Sequence, residues 1–127
     1  MSLSILIPCK NEEDNLEKTI KIIKSRISKK IKKFEFVVIN DFSTDKTMKI
    51  CQRLAKKDRK FIFKNNTKAG LGSAINIGIN SSNHKFIAVV MSDLSDNPSD
   101  LIKYYQTIKK KNLDAVLGSR FTKKYKI

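Results

Sequence analysis

The chain has 127 residues, with 27 Lys or Arg against 12 Asp or Glu, a formal charge of +15, and 40% hydrophobic and 31% charged residues. This length holds one core and not two, the dispersed charge excludes global disorder, and no apolar run approaches the roughly 20 residues needed to cross a bilayer. Two cysteines and one histidine exclude a disulfide framework and a zinc cluster, and without a basic and apolar leader the chain is expected to be cytoplasmic.

Ser4 to Ile7 reads as a first buried strand, broken by Pro8, which cannot donate to a sheet ladder. Asn11 then caps a helix whose first turn carries Glu12, Glu13 and Asp14 and whose apolar stripe is Leu16, Ile20, Ile23 and Ile27. A second strand, Phe34 to Ile39, ends in Asn40 and Asp41. Ser43, Thr44 and Asp45 follow as turn and cap residues of a helix with Met48, Cys51, Leu54 and Ala55 on one side. Lys60 to Lys64 forms a short third strand, and Gly70 with Gly72 opens a small-residue helix through Ala74, Ile75, Gly78 and Ile79. The fourth strand, Phe86 to Met91, is apolar throughout, as a strand buried on both faces should be. It stops at the acidic loop around Asp93, and a helix starts near Pro98 with Leu101, Tyr105 and Ile108 facing inward. Asp114 to Leu117 reads as a fifth strand before Gly118, Ser119 and Arg120.

Strands alternating with helices predict an α/β fold, a mostly parallel sheet of about five strands covered on both faces. In such a sheet every strand-to-helix loop emerges on one edge, where open α/β sheets bind their ligands. Pro8 to Glu12, Asp41, Lys68, Asp93 and Arg120 all fall on that edge. The lysine clusters 29–33, 56–60 and 109–111 fall at helix ends on the other, where positive charge complements the helix dipole. Only four of the basic residues are Arg, and aromatics do not interleave with them, so no specific nucleic-acid surface is expected. Cys51 is expected in the core, and Cys9, at a strand end, lines the site without a nucleophilic role.

Carboxylates interspersed with Lys10, Lys68 and Arg120 on a ligand edge suit a diphosphate-containing substrate, with Mg²⁺ or Mn²⁺ bridging phosphate oxygens. Neither a phosphate-cradling GK[ST] loop nor the three-glycine dinucleotide fingerprint is present, which excludes an ordinary nucleoside triphosphatase or dehydrogenase.

The segments SILIPCKNEEDNL, VVINDFSTDKT, GLGSAINIGI, MSDLSDNPSDL and VLGSRF resemble, in order and spacing, the family 2 glycosyltransferases of the GT-A fold. They are most similar to the branch that transfers a hexose to dolichyl or other polyprenyl phosphates. The resemblance implies an inverting transferase with a UDP- or GDP-sugar donor, a divalent metal and a polyprenyl-phosphate acceptor. It also implies that residues 1–127 form the nucleotide-sugar-binding N-terminal part of a catalytic domain whose acceptor portion lies beyond them, peripheral to the cytoplasmic face of a membrane. By position, Pro8, Cys9, Lys10 and Glu12 match the first nucleotide-contacting loop and Asp41 the carboxylate that contacts the nucleoside. Lys68 and Arg120 match cations near the diphosphate or acceptor phosphate. Asp93 matches the second carboxylate of the DxD metal motif, assisted by Asp96.

Four positions depart from the pattern, among them Ser95, two places beyond the second DxD carboxylate, where a polar or amide residue is frequent. Met91 replaces the first DxD carboxylate, and a thioether is a poor ligand for Mg²⁺. Asn40 replaces the first of two paired acids, and Lys10 stands where an aromatic is frequent. A non-catalytic nucleotide-binding module with a degenerate DxD is therefore the second reading, and a polyanion or membrane-surface binder using the lysine-rich edge is the third.

Overall fold

A computed structural model describes residues 2–93, 95 and 97–118. Four strands alternate with four helices: β1 (Ser2–Cys9), α1 (Leu16–Ile27), β2 (Lys33–Asn40), α2 (Thr47–Lys57), β3 (Phe61–Asn65), α3 (Leu71–Ser81), β4 (Phe86–Val89) and α4 (Pro98–Lys110). The strands pair in the order β3-β2-β1-β4, every pair parallel.

Side chains alternate across each strand, so the two central strands divide their residues between two cores. Ile5, Ile7 and Cys9 of β1, with Phe34, Phe36 and Val38 of β2, face α1, α2 and α4. Leu6, Val37 and Ile39 face the opposite way onto Ala74 of α3. The stripe Leu16, Ile20, Ile23 and Ile27 is buried as its spacing requires. Gly78 lets α3 lie close to the sheet, since a Cβ there would stand 2.0 Å from Leu6 Cδ1.

Five local expectations are corrected. Strand β1 runs through Pro8 to Cys9. The Leu6 carbonyl accepts from Val90 N at 2.9 Å, so positions two apart point to β4, and the donor that Pro8 lacks falls beyond Val89, where β4 has ended. Strand β4 is an edge strand among the described residues and not a doubly buried one, with Ile87 38% and Val89 49% exposed. Residues 114–117 form no strand: Leu117 is 90% exposed, and an apolar run of only three residues, Ala115 to Leu117, is not distinguishable from extended coil without a neighbour to pair with. On α2, Met48 faces solvent and Ile50 packs against the core with Cys51 and Leu54. Helix α1 begins at Leu16 with Asn15 at its N-cap, and Asn11 does other work.

On the edge opposite the strand-to-helix loops, Glu35 is 7% exposed and carries a small polar network. Ser4 Oγ donates to Glu35 Oε1 at 2.7 Å, Asn83 N to the same oxygen at 2.7 Å and Asn83 Nδ2 to Oε2 at 3.2 Å. Burial pushes this carboxyl up, but the donors from Asn83 and Ser4 outweigh it and hold Glu35 below its ordinary range. Glu35 thereby clamps the turn between α3 and β4 to the two central strands.

Candidate functional site

Parallel pairing brings the C-terminal ends of the strands into one row: Cys9 stands opposite Asn40, and Asn40 opposite Asn65. The loops that leave this row are stitched to one another by side chains. Asn11, at φ 53°, donates its N–H to Ser43 Oγ at 2.9 Å and accepts from Thr44 N at 2.8 Å through Oδ1. Glu12 N donates to Thr47 Oγ1 at 2.9 Å, and Glu13 Oε2 accepts from Lys46 N at 3.1 Å. Asp45 binds both loops, accepting from Glu13 N and Thr47 N. Burial pushes Asp45 up, yet the donors from Thr47 and Glu13 prevail and keep it below the usual carboxylate range.

Asp41 joins these loops to the next one. Its N–H donates to the Cys9 carbonyl at 2.8 Å, and its Oδ1 accepts from Asn66 Nδ2 at 2.9 Å and from Gly70 N at 3.1 Å. Among the described residues Oδ2 shares only the Gly70 N–H, at 3.3 Å, so it keeps capacity for a further donor. Asn66 is 5% exposed, and its amide is saturated: Nδ2 also reaches the Gly70 carbonyl at 3.1 Å, while Oδ1 accepts from Ser73 Oγ at 2.7 Å and Thr67 N at 3.0 Å. Gly70 sits at φ 123°, a conformation that an L side chain rarely adopts.

The fourth loop is anchored through α1, where Thr19 Oγ1 donates to the carbonyl of buried Ser92 at 3.0 Å. Asp93 follows Ser92 and accepts from Ser95 N at 3.0 Å through Oδ1. Burial, and next the negative charge of Asp93, raise the Glu12 carboxyl above its ordinary value, so these two acids share one neighbourhood. That neighbourhood lies between β1 and β4, where the strand order reverses and open α/β sheets form their ligand crevice.

Of the residues singled out in the sequence, Glu12, Asp41 and Asp93 therefore sit on one rim. Exposed Lys10 lies between Cys9 and Asn11, and exposed Lys68 lies in the loop that Asn66 and Gly70 tie to Asp41. Pro8 is buried in the sheet. The Cys9 thiol points into the core, where its hydrogen bond with Cys51, and then burial, push it far up and keep it protonated; only its carbonyl reaches the rim. Asp96 and Arg120 lie outside the described residues. Sequence reasoning missed Asn66, Asn11 and Thr47, whose partners lie on other loops. A groove of about 630 Å³, lined by Phe86, Leu101, Tyr104 and Val116, runs along the outer edge of β4 and reaches Ser95 and Asn97 of the fourth loop.

The model of the glycosyl transferase family 2 matches residues 4–127. The chain belongs to glycosyl transferase family 2. It is 31% identical over 129 residues to the dolichol-phosphate mannosyltransferase of Pyrococcus furiosus, covering 100% of this chain and 35% of that protein. It is 28% identical over 120 residues to glycosyltransferase GlyA of Streptococcus pneumoniae, covering 94% of this chain and 17% of that one. Among solved structures, S. aureus TarS superposes with a TM-score of 0.68 at 23% identity over 88% of this chain and 33% of its own. The mannosyltransferase PcManGT from Pyrobaculum calidifontis, in complex with GDP-Man and Mn²⁺, gives 0.68 at 20% identity over 84% and 32%. These likenesses show that the family 2 chain has the GT-A type of α/β fold. They also show that it spans about a third of the length of the first relative it matches.

Proposed function

We propose that this family 2 chain is the donor-binding part of an inverting glycosyltransferase that moves a hexose from a UDP- or GDP-sugar to a polyprenyl phosphate. The observation that carries the proposal is Asp41, a carboxylate fixed at the sheet edge by Asn66 and Gly70 with Oδ2 left able to accept. A carboxylate selects a base that presents a donor, as uracil does at its ring N–H and guanine at its ring N–H and amino group. The name of the Pyrococcus furiosus relative supports the polyprenyl-phosphate acceptor.

Lys10 and Lys68 flank Asp41 from the loops on either side and supply cations for the diphosphate. The donor set at the β1 and β4 crevice fits a divalent ion held jointly with substrate: Asp93 and Glu12 offer hard oxygens in one neighbourhood, and Mg²⁺ is commonly bound by one or two carboxylates plus phosphates. Among the described residues no three His, Cys, Asp or Glu cluster as a complete protein cage. When bound, Mg²⁺ or Mn²⁺ would neutralise charge on the departing diphosphate. An acceptor phosphate oxygen forms the new bond to the anomeric carbon on the face opposite the nucleotide, and the electron pair of the broken bond leaves with the nucleoside diphosphate. A phosphate acceptor is already anionic and needs no general base. Asp96 and Arg120 are assigned to metal and phosphate by their place in the sequence alone.

The exposed Met91 at the first DxD position favours a second reading, a nucleotide-binding module without transfer activity. A thermal-shift panel of UDP- and GDP-sugars with and without Mn²⁺ tests the binding proposal. A rise in melting temperature that is lost in Asp41→Ala and in Asp93→Ala is expected; no rise with any donor would overturn it. Hexose transfer to a polyprenyl phosphate by the protein separates the enzyme from the module.

A further inference from the structure

The residue after Asp41 is a phenylalanine held where phenylalanine does not belong. Phe42 has φ 55°, a left-handed conformation that is uncommon for a non-glycine residue and an outlier for a bulky one. Its neighbours enforce it: Asp41 is tied to Cys9 and Gly70 on one side, and Ser43 to Asn11 on the other. The ring gains nothing from the cores, because Phe42 belongs to neither and is 52% exposed, the one exposed phenylalanine among the described residues. Leu71, which follows the Gly70 that binds Asp41, is likewise 53% exposed. Backbone strain and an apolar ring in water, both directly beside an acceptor carboxylate, persist where a ligand uses them.

We infer that Phe42 is the stacking platform for the nucleobase, a residue that sets affinity for the nucleoside while Asp41 reads the edge of the base. This rests on the nucleoside diphosphate reading above. The chemistry matches the two flanking groups: a planar base has an apolar face for a ring and polar N–H groups at its edge for a carboxylate. Stacking on an aromatic ring is tolerant of base identity, so Phe42 strengthens uridine and guanosine alike, and selection between them falls to the polar edge.

The test compares Phe42→Gly, Phe42→Leu and Phe42→Tyr by calorimetric titration with UDP, with GDP and with inorganic pyrophosphate, each in the presence of Mn²⁺. Glycine accepts φ 55° without strain, so Phe42→Gly is expected to melt no lower than the wild type. Its affinity for UDP and GDP is expected to fall by about 10-fold or more, as loss of one base stack does. Phe42→Leu, apolar but not planar, is expected to lose affinity too, and Phe42→Tyr to keep it. Pyrophosphate, which lacks a base, is expected to bind all four proteins equally. Wild-type binding of UDP or GDP with unchanged affinity in Phe42→Gly would overturn the platform and leave the nucleotide reading standing. No wild-type binding of either nucleotide would overturn both.

Discussion

Replacing Asn66 with alanine should cost more than any other single exposed-loop substitution near the rim. The side chain is 5% exposed and makes four hydrogen bonds, to Asp41, the Gly70 carbonyl, Ser73 and Thr67. At about 0.5–1.5 kcal/mol each, the bonds sum to ~2–6 kcal/mol. Gly70 and Thr67 are exposed and regain water when the amide is gone, which places the expected loss at the lower end, about 2–3 kcal/mol. For a domain of this size that corresponds to a fall in melting temperature of about 6–15 °C. Urea titration followed by circular dichroism at pH 7 measures it. Asn66→Asp adds a second test, because it keeps the acceptor for Ser73 but turns the donor to Asp41 into a like charge. Asn66→Asp should be at least as unstable as Asn66→Ala at pH 7 and should recover stability relative to it as the pH falls and a carboxyl is protonated. A change below about 0.5 kcal/mol for Asn66→Ala, the size of an ordinary surface substitution, would refute the assignment of Asn66 as the joint between the loops.

Three further outcomes follow from other parts of the molecule. Glu35→Gln should destabilise by about 2–3 kcal/mol at neutral pH by turning a donor against Asn83 or Ser4. Because the native carboxyl of Glu35 lies below its unfolded value of about 4.3, its contribution is complete above that pH and is lost as the pH falls through the native value, so wild type and variant should converge in acid. Glu12 has the opposite sign. Its carboxyl is raised by burial and Asp93, so its ionisation opposes folding above the carboxylate range; Glu12→Gln should melt higher than wild type at pH 7, a difference that vanishes in acid and in an Asp93→Asn background is reduced. Gly78→Ala should cost about 1–3 kcal/mol by forcing a methyl into Leu6, and Leu6→Val should recover part of that loss in the double variant, read by urea melts in a double-mutant cycle.

Much of this arrangement was legible before any coordinates. Periodicity alone places Leu16, Ile20, Ile23 and Ile27 on one buried helix face, and continuous apolar runs place β1 and β2 at the centre of the sheet. Once the strands are parallel, the order of the chain delivers Glu12, Asp41 and Asp93 to one edge, which is why the site could be located from spacing. The joints between the loops could not. Asn66, Asn11 and Thr47 read as ordinary turn or cap residues because their partners are 25 to 35 residues away in sequence, and local patterns carry no record of them. Glu35 reads as a polar residue in an apolar strand, and only the fold shows that Asn83 arrives above it. Cys9 was placed by its position at a strand end, whereas alternation in a strand that continues through Pro8 turns its thiol into the core. β4 looks doubly buried in sequence because Ile87 and Val89 are as apolar as their neighbours, and apolarity does not specify how many faces are covered.

The central claim is that the rim around Asp41 receives a nucleoside diphosphate. Titrating the ¹⁵N-labelled protein with UDP and with GDP in the presence of Mg²⁺ and following its amide spectrum tests this at the atoms concerned. Saturable shifts are expected at the Gly70 backbone amide and the Asn66 side-chain amide, both bonded to the Asp41 carboxylate, and these shifts should be absent in Asp41→Ala. A spectrum that stays unchanged with both nucleotides, or one that moves only at residues away from the four strand-to-helix loops, would contradict the account.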